Sequence, residues 1–363
     1  MISENEWELA GQTNPFLSFK FHNALRESRC IGEEVGWSPI QFQSPDKKAF
    51  LNTFLKTHSW GEFIFDWSWA DAYEKHGLSY YPKFTSMIPF TPVTAPHFCM
   101  KNWDEDVAKD LLLQFDQLFN QSDASSAHFL FIPEIELALF QRSGYLIRES
   151  IQYHFFNTNL VNFEDFLMQL KSKKAKNLKK ERSFPNLQFV QLTGDQLQQE
   201  HAMRMYYYYL STIETKGSYP YLNEAFFLIL FSSFKDHILF IEAIEENTPV
   251  GGALFFYDED KLYGRYWGAS KFIENLHFEL CYYQGIDFCL KNKLKIFEGG
   301  AQGEHKISRG FRPVRIYSAH KFKHLAFHKA VDKFLQIEKI QITNKIHLLS
   351  QRLPFKDLEL EVF

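Results

Sequence analysis

The sequence predicts an α/β (α+β) protein of two tandem halves, each a mixed, mainly antiparallel sheet flanked by helices. Three observations carry this. A chain of 363 residues exceeds what one hydrophobic core usually serves. From 103 to 156 the pattern alternates helix and strand, as an α/β half requires. From 187 onward come a strand, two helices and three strands separated by hairpin breaks at Glu246-Asn247 and Asp258-Glu259-Asp260, and the third of these strands opens a strand, helix, strand unit in βαβ order. The halves fall at 1–162 and 187–363, joined by a basic connecting helix at 163–186.

In the first half, Asn14 and Pro15 open a helix through about 28, with asparagine as cap and proline in the first turn. Trp37 to Phe42 reads as a strand ended by Ser44-Pro45-Asp46, and 47–56 fits helix or strand. Asp66 precedes a helix over 67–76 and is most simply its N-cap, with a catalytic role as the alternative. Trp60, Trp67 and Trp69 either line a groove or belong to the core. Tyr80 to Phe90 reads as a strand carrying Lys83. Gln152-Tyr153-His154 ends a strand and either points polar groups into a cleft or holds a satisfied core histidine.

Residues 171–182 contain seven Lys or Arg and one Glu, a net +6 in a chain whose net charge is −4. Such a patch on an acidic chain points to an anionic partner, and Lys173, Lys174 and Lys176 are its candidate contacts. A solvated linker helix is the alternative. The anion is a phosphate-bearing acyl donor, a nucleotide-linked precursor or RNA. RNA has thin support, because one basic helix without a recognisable RNA-binding module lacks the broad positive surface phosphates need.

Chemistry-bearing residues concentrate in 260–315. A strand over 261–268, a helix over about 276–293 and a strand over 294–298 lead into Glu298-Gly299-Gly300-Ala301-Gln302-Gly303-Glu304-His305-Lys306. Glycines let backbone approach a ligand closely, and four titratable groups fall within nine residues. Arg309 beside Gly310 suits a phosphate or carboxylate. Glu279 falls on an apolar helix face, where a carboxylate needs a partner or rises in pKa. It is either a first-turn carboxylate after an Asn275 cap or a base near the site.

The runs LYGRYWG, LHFELCYYQGIDF and FEGGAQGEHKISRGF, with GWSPI, HSWGEFIFDWSWADAYEKHGLSYYPKF, IPFTPVT, KSKKAKNLKKERS and YLNEAFF, resemble the predicted N-acyltransferase family once labelled peptidoglycan biosynthesis or recognition proteins. That family is grouped with the GNAT superfamily and is similar to the Fem-type peptidyltransferases, so the resemblance implies two GNAT-like halves. It covers about Asn14 to the last helix and includes His58, Glu62, Asp66, Tyr81 and Lys83, a second region for ligand contacts. The family usually carries a longer strand pair near 47–56; if a hairpin is lost here the first half is trimmed, which leaves open whether it keeps a working site. Fem-type enzymes use aminoacyl-tRNA, often through a helical arm that is not seen here. GNAT enzymes bind acetyl-CoA through a Q/R-x-x-G-x-G/A loop. Arg265-Tyr266-Trp267-Gly268-Ala269-Ser270 departs from it in the last place, so acyl-CoA is a donor to test and no tightly bound cofactor is expected.

The expectation is an N-acyltransferase that passes an acyl or aminoacyl group from an activated anionic donor to an amine, with a cell-wall precursor as an acceptor to test. Glu298 or Glu279 is the base, His305 an alternative base or relay, and Tyr266 an acid. Arg265, Gln302, Lys306, Arg309, Asp66 and Lys83 contact substrate, together with the three lysines of the basic helix. A noncatalytic binding protein is the rival reading. A metal hydrolase using His277, Glu298, Glu304 and His305 lacks HExxH spacing, so no metal is expected. No apolar run approaches a membrane span, the N-terminus carries acidic residues where a secretory signal needs basic ones, and four scattered cysteines read as free thiols, which together place the chain in the cytoplasm. The tail reads as two helices, 323–338 and 340–351.

Overall fold

The computed structural model describes residues 2–11, 14–300 and 303–356. In chain order the strands are β1 (Trp37–Gln43), β2 (Ala49–Lys56), β3 (Lys83–Ser86), β4 (Phe98–Met100), β5 (Ser126–Ile132), β6 (Leu146–Phe156), β7 (Leu187–Thr193), β8 (Ile238–Glu245), β9 (Thr248–Tyr257), β10 (Lys261–Ala269), β11 (Ile296–Glu298) and β12 (Arg312–Phe322). The class is α/β, as expected. Two units emerge: Met1–Ser150 with Arg315–Asn344, and Ile151–Val314 with Lys345–Phe363. The border thus lies at 150/151, the segment 163–186 lies within unit 2, and most of β12 and of the last helix belongs to unit 1.

In unit 1 the strand order is β1-β2-β3-β5-β12, with β4 on β2. β3 and β5 are parallel, pairing Phe84 with Ala127, Thr85 with His128 and Ser86 with Phe129. Every residue of β5 is buried, as in a central strand covered on both faces. The helix Glu105–Gln121 makes the crossover; Asp104 caps it by accepting from the Asp106 and Val107 amides, and Leu111, Leu112, Phe115 and Phe119 join the core with Phe84 and Phe129. The ambiguous 47–56 is β2, paired with β1 across a turn in which Lys47 has φ 61°. The strand expected over 80–90 is shorter, Lys83–Ser86. The tail is one helix, Leu325–Gln351, since no glycine or proline interrupts it at Lys339.

Unit 2 is built on β7-β8-β9-β10, antiparallel throughout, then β11 parallel to β10 and β6 antiparallel to β11. Glu246 and Asn247, with φ 47° and 63°, make the two-residue turn between β8 and β9, both positive as a type I′ hairpin requires. Helices Gln199–Thr215 and Glu224–Ser233 cover one face, the second capped by Asn223 as expected. A Cβ on Gly268 would lie 1.8 Å from the Tyr208 carbonyl, so glycine there lets the first helix rest on β10. The other face carries a helical run over 276–291, with Leu280, Tyr283 and Ile286 packed on Leu262, Phe255 and Phe297.

Two helix predictions are corrected. The basic segment is two helices, Phe163–Gln169 and Ser172–Glu181. Leu170 is buried and pairs with Phe355 in a β-bridge, while the Lys171 amide donates to the Pro354 carbonyl at 2.9 Å, which breaks the helical ladder. Asn275 stands before the helix at Leu276 in the left-handed region, φ 63°, and its side chain makes no capping bond.

Candidate functional site

β10 and β11 pair for three residues only, ending at Tyr263 opposite Glu298. Beyond that point they part. β10 continues along β9 to Ala269 with a bulge at Arg265, the extra residue between Gly264 and Tyr266. Bulges recur beside active sites because they re-aim a side chain. On the other side of the parting the chain leaves through Gly299 and Gly300. A Cβ on Gly299 would lie 2.7 Å from the Phe311 ring, and Gly300 has φ 85°, so neither position suits a larger residue. The short helix Glu304–Arg309 then returns the chain to the parting.

That return buries Lys306 to 2% exposure. Its Nζ donates to the Gly300 carbonyl at 3.0 Å and lies 5.8 Å from the Tyr153 ring and 5.9 Å from the Tyr282 ring. Burial, reinforced by Lys216, lowers its pKa to about 7. His305 shares a 2.9 Å hydrogen bond with the Tyr282 hydroxyl. His277 is pushed down to about 3 by burial and by His305, Lys306, Arg309 and Lys216, which keeps it neutral. Residues 279–283 form a π-turn within the helical run, a distortion frequent at functional sites, and it contributes Tyr282 to this group.

Glu298 is buried on the strand end. Its Oε1 meets Lys261 Nζ at 3.2 Å, while Oε2 has no hydrogen-bond partner. An orphaned buried carboxylate oxygen is unusual enough to need a chemical reason. His154 stands opposite Glu298 in register; burial lowers its pKa and Glu298 acts against that shift. Side chains alternate along a strand, so Phe297 joins the core on the helix 276–291 face and Glu298 faces the other way.

Arg309 is buried against the Phe278 ring, 3.4 Å from its centroid, pairs with Glu181 at 2.8 Å and donates to the His305 carbonyl at 2.9 Å, so it braces the turn that carries Lys306. Glu279 is held by Arg182 at 2.9 Å and Gln284 at 2.8 Å; burial raises its pKa against the pull of Arg182. These bonds give Glu279 a structural tie to the end of the basic helix. Tyr266 is buried among Tyr209 and Phe227, with the Arg265 guanidinium 5.3 Å from its ring. Gln302 lies outside the described residues. Lys173 and Lys176 are exposed and Lys174 half-buried on Ser172–Glu181. Sequence reading missed Lys216, an exposed lysine after a helix with no local signal, and Glu181, one acid in a basic run.

Asp66 and Lys83 lie in unit 1, in a separate buried network. Lys83 Nζ donates to Ser59 and Glu62, each at 2.8 Å, and to Asp66. Lys56 Nζ pairs with Glu62 at 2.8 Å, donates to the Trp60 carbonyl and sits 3.4 Å from the Trp37 ring. The Tyr80 hydroxyl donates to Asp66 at 2.6 Å. Two ammonium groups thus balance two carboxylates. Burial opposes ionisation of Asp66, but Lys83 and the hydrogen bonds from Lys83 and Tyr80 hold its carboxyl below the usual range. The N-cap reading of Asp66 is corrected: it occupies the cap position without a side-chain capping bond, because Lys83 and Tyr80 take its carboxylate. Of the three tryptophans, Trp69 is core while Trp60 and Trp67 are exposed edge to face.

Among the described residues no helix is long and apolar enough to cross a membrane. A search of curated proteins finds no match. Among solved structures, FemX shares the fold at TM-score 0.56 and 8% identity, over 92% of this chain and 99% of that one. The C-terminal domain of a protein described as a lysylphosphatidylglycerol synthetase from Agrobacterium fabrum gives 0.53 and 11%, over 91% and 96%. A conserved protein of unknown function from Bacteroides thetaiotaomicron gives 0.53 and 11%, over 88% and 97%. At these identities the likeness is one of fold. The model of the FemAB-like proteins, described as peptidoglycan biosynthesis/recognition, matches residues 1–357, and the chain belongs to that family.

Proposed function

We propose that the chain is an N-acyltransferase whose reaction centre is the parting of β10 and β11 in unit 2. The observation that carries this reading is Lys306, a buried amine with a pKa of about 7 beside a glycine loop at the end of a parallel strand pair. An amine so placed changes charge in the pH range where proton transfer is most effective. The acceptor ammonium first gives one proton to the unpaired oxygen of Glu298; the free amine then attacks the donor's ester or thioester carbonyl, the carbon–nitrogen bond forms, the carbon–oxygen or carbon–sulfur bond breaks, and the second proton lost from nitrogen goes to the leaving oxygen or sulfur, which departs as the alcohol or thiol. Lys306, when protonated, donates to the developing oxyanion. Lys216 and the exposed face of Ser172–Glu181 supply positive charge for an anionic donor, and the Glu181–Arg309 pair ties that helix to the turn carrying Lys306.

The family description supports a cell-wall precursor as acceptor, and the synthetase among the structural relatives supports an aminoacyl donor. Free thiols at Cys30, Cys99, Cys281 and Cys289 suit the cytoplasm, where both would be made. The test is product analysis by mass spectrometry after incubation with acyl-CoAs or aminoacyl-tRNA and a UDP-linked peptide precursor. The reading expects one donor class to give an amide product, with transfer weakened in a Lys173/Lys174/Lys176 triple alanine variant. Binding of a precursor without any transfer would favour a binding protein instead.

A further inference from the structure

The basic helix Ser172–Glu181 is held in unit 2 by few apolar contacts: Leu178 is its buried residue, and Ala175 packs beside it partly exposed. Its last residue and its cap, Glu181 and Arg182, make the polar bonds that fix its end. An acid is poorly suited to that position, because the carboxyl end of a helix carries partial negative charge. Two partners account for it. One Glu181 oxygen accepts Arg309 Nε at 3.1 Å and Nη2 at 2.8 Å, and the Tyr283 hydroxyl donates to the same oxygen. Arg182 forks onto the two oxygens of Glu279 at 3.1 and 2.9 Å and reaches Asp287 at 2.6 Å, with its guanidinium 4.2 Å from the Phe163 ring. A solvated linker helix needs no such bonds.

These bonds converge on the two segments that surround Lys306. The π-turn runs from Glu279 to Tyr283, so Arg182 grips its first residue and Glu181 its last. Between them stands Tyr282, whose hydroxyl meets His305 at 2.9 Å and whose ring lies 5.9 Å from Lys306 Nζ. Arg309 ends the short helix Glu304–Arg309 and donates to the His305 carbonyl, so Glu181 also fixes the segment in which Lys306 sits. A π-turn and a single short helix of tight turns have poorer hydrogen-bond geometry than an α-helix, and bonds from outside decide their shape.

We propose that Glu181 and Arg182 are positioning residues for the transfer: from the end of the helix that meets the anionic donor, they hold Tyr282 and Lys306 in place at the reaction centre. This rests on the reading of that centre given above, and two measurements separate the one from the other. The first is made on the resting full chain, by lysine-selective NMR of the Lys306 side chain together with the His305 ring signals. Glu181→Gln keeps an acceptor for Tyr283 but removes the charge that holds Arg309, so both sets of signals should move. The second is single-turnover transfer from the productive donor. Glu181→Gln should slow it about tenfold or more, as small displacements of a reacting group do, while the donor concentration for half-maximal rate stays within about twofold of wild type. The Lys173/Lys174/Lys176 triple alanine variant should show the opposite split, and Glu181→Asp, which keeps the charge, should regain part of the rate. Arg182→Lys, which loses the fork onto Glu279, is read in the same way and serves if Glu181→Gln does not fold. Unmoved Lys306 and His305 signals would overturn the proposal whatever the reaction; so would a wild-type rate, or a loss confined to donor affinity. Moved signals in a chain that, unaltered, transfers no group from any donor would overturn the transfer reading, and this role with it.

Discussion

Replacing Lys306 with methionine should stabilise the protein at neutral and acid pH, although it removes a residue placed at the reaction centre. The ordinary lysine value is 10.5, and the folded state lowers it to about 7. Between those values the unfolded chain binds more protons than the folded one, so stability rises with pH across the window. Below the folded value both states are charged and the destabilisation is fully present. A shift of this size corresponds to roughly 5 kcal/mol at ~1.4 kcal/mol per unit. Losing the bond to the Gly300 carbonyl gives back about 1 kcal/mol, and water penetration reduces the rest, so a net gain of about 2–3 kcal/mol is expected. Methionine has nearly the same length and packs well against the Tyr153 and Tyr282 rings. The assay is urea unfolding of both proteins at about pH 6 and about pH 9. Methionine should win at the lower pH, and the gap should narrow at the higher one. A variant less stable than wild type at the lower pH, or a gap independent of pH, would refute the burial argument.

Lys83→Met should destabilise unit 1 by about 3–5 kcal/mol in denaturant melts, because it leaves Asp66 and Glu62 buried with only Lys56 between them, whereas Lys47→Met, at an exposed pair with Glu6, should cost less than about 1 kcal/mol. Gly268→Ala should cost about 3 kcal/mol or more, or abolish soluble expression, since its Cβ would meet the Tyr208 carbonyl; Gly264→Ala, with 3.2 Å to the Phe297 ring, should be tolerated far better. Arg182→Ala should cost about 3 kcal/mol by stranding Glu279, and adding Glu279→Gln should recover part of it.

The second half was legible because its signals are local. Hairpin residues, the Asn223 cap and the period of each strand are written within a few positions. The parting of β10 and β11 was legible in outline, as a glycine loop after a strand end. Its contents were less so. Glu279 read as a buried acid in need of a partner, but that partner, Arg182, stands 97 positions away and no local pattern names it. Asp66 read as a cap because it sits before a helix, and only the fold brings Lys83 to take its carboxylate. Lys306 read as a substrate contact, while its burial depends on Tyr153 and Tyr282 from two other elements. The break at Leu170 was invisible for the same reason, since Phe355 makes the bridge that interrupts the helix.

The central claim is that acyl transfer takes place at the parting of β10 and β11. Single-turnover transfer from the productive donor, measured for Glu298→Gln and Lys306→Met against wild type with folding confirmed, tests it most directly. Each variant should lose roughly 10²- to 10³-fold in the rate of transfer with little change in donor affinity. Wild-type rates in both would contradict the assignment of this site.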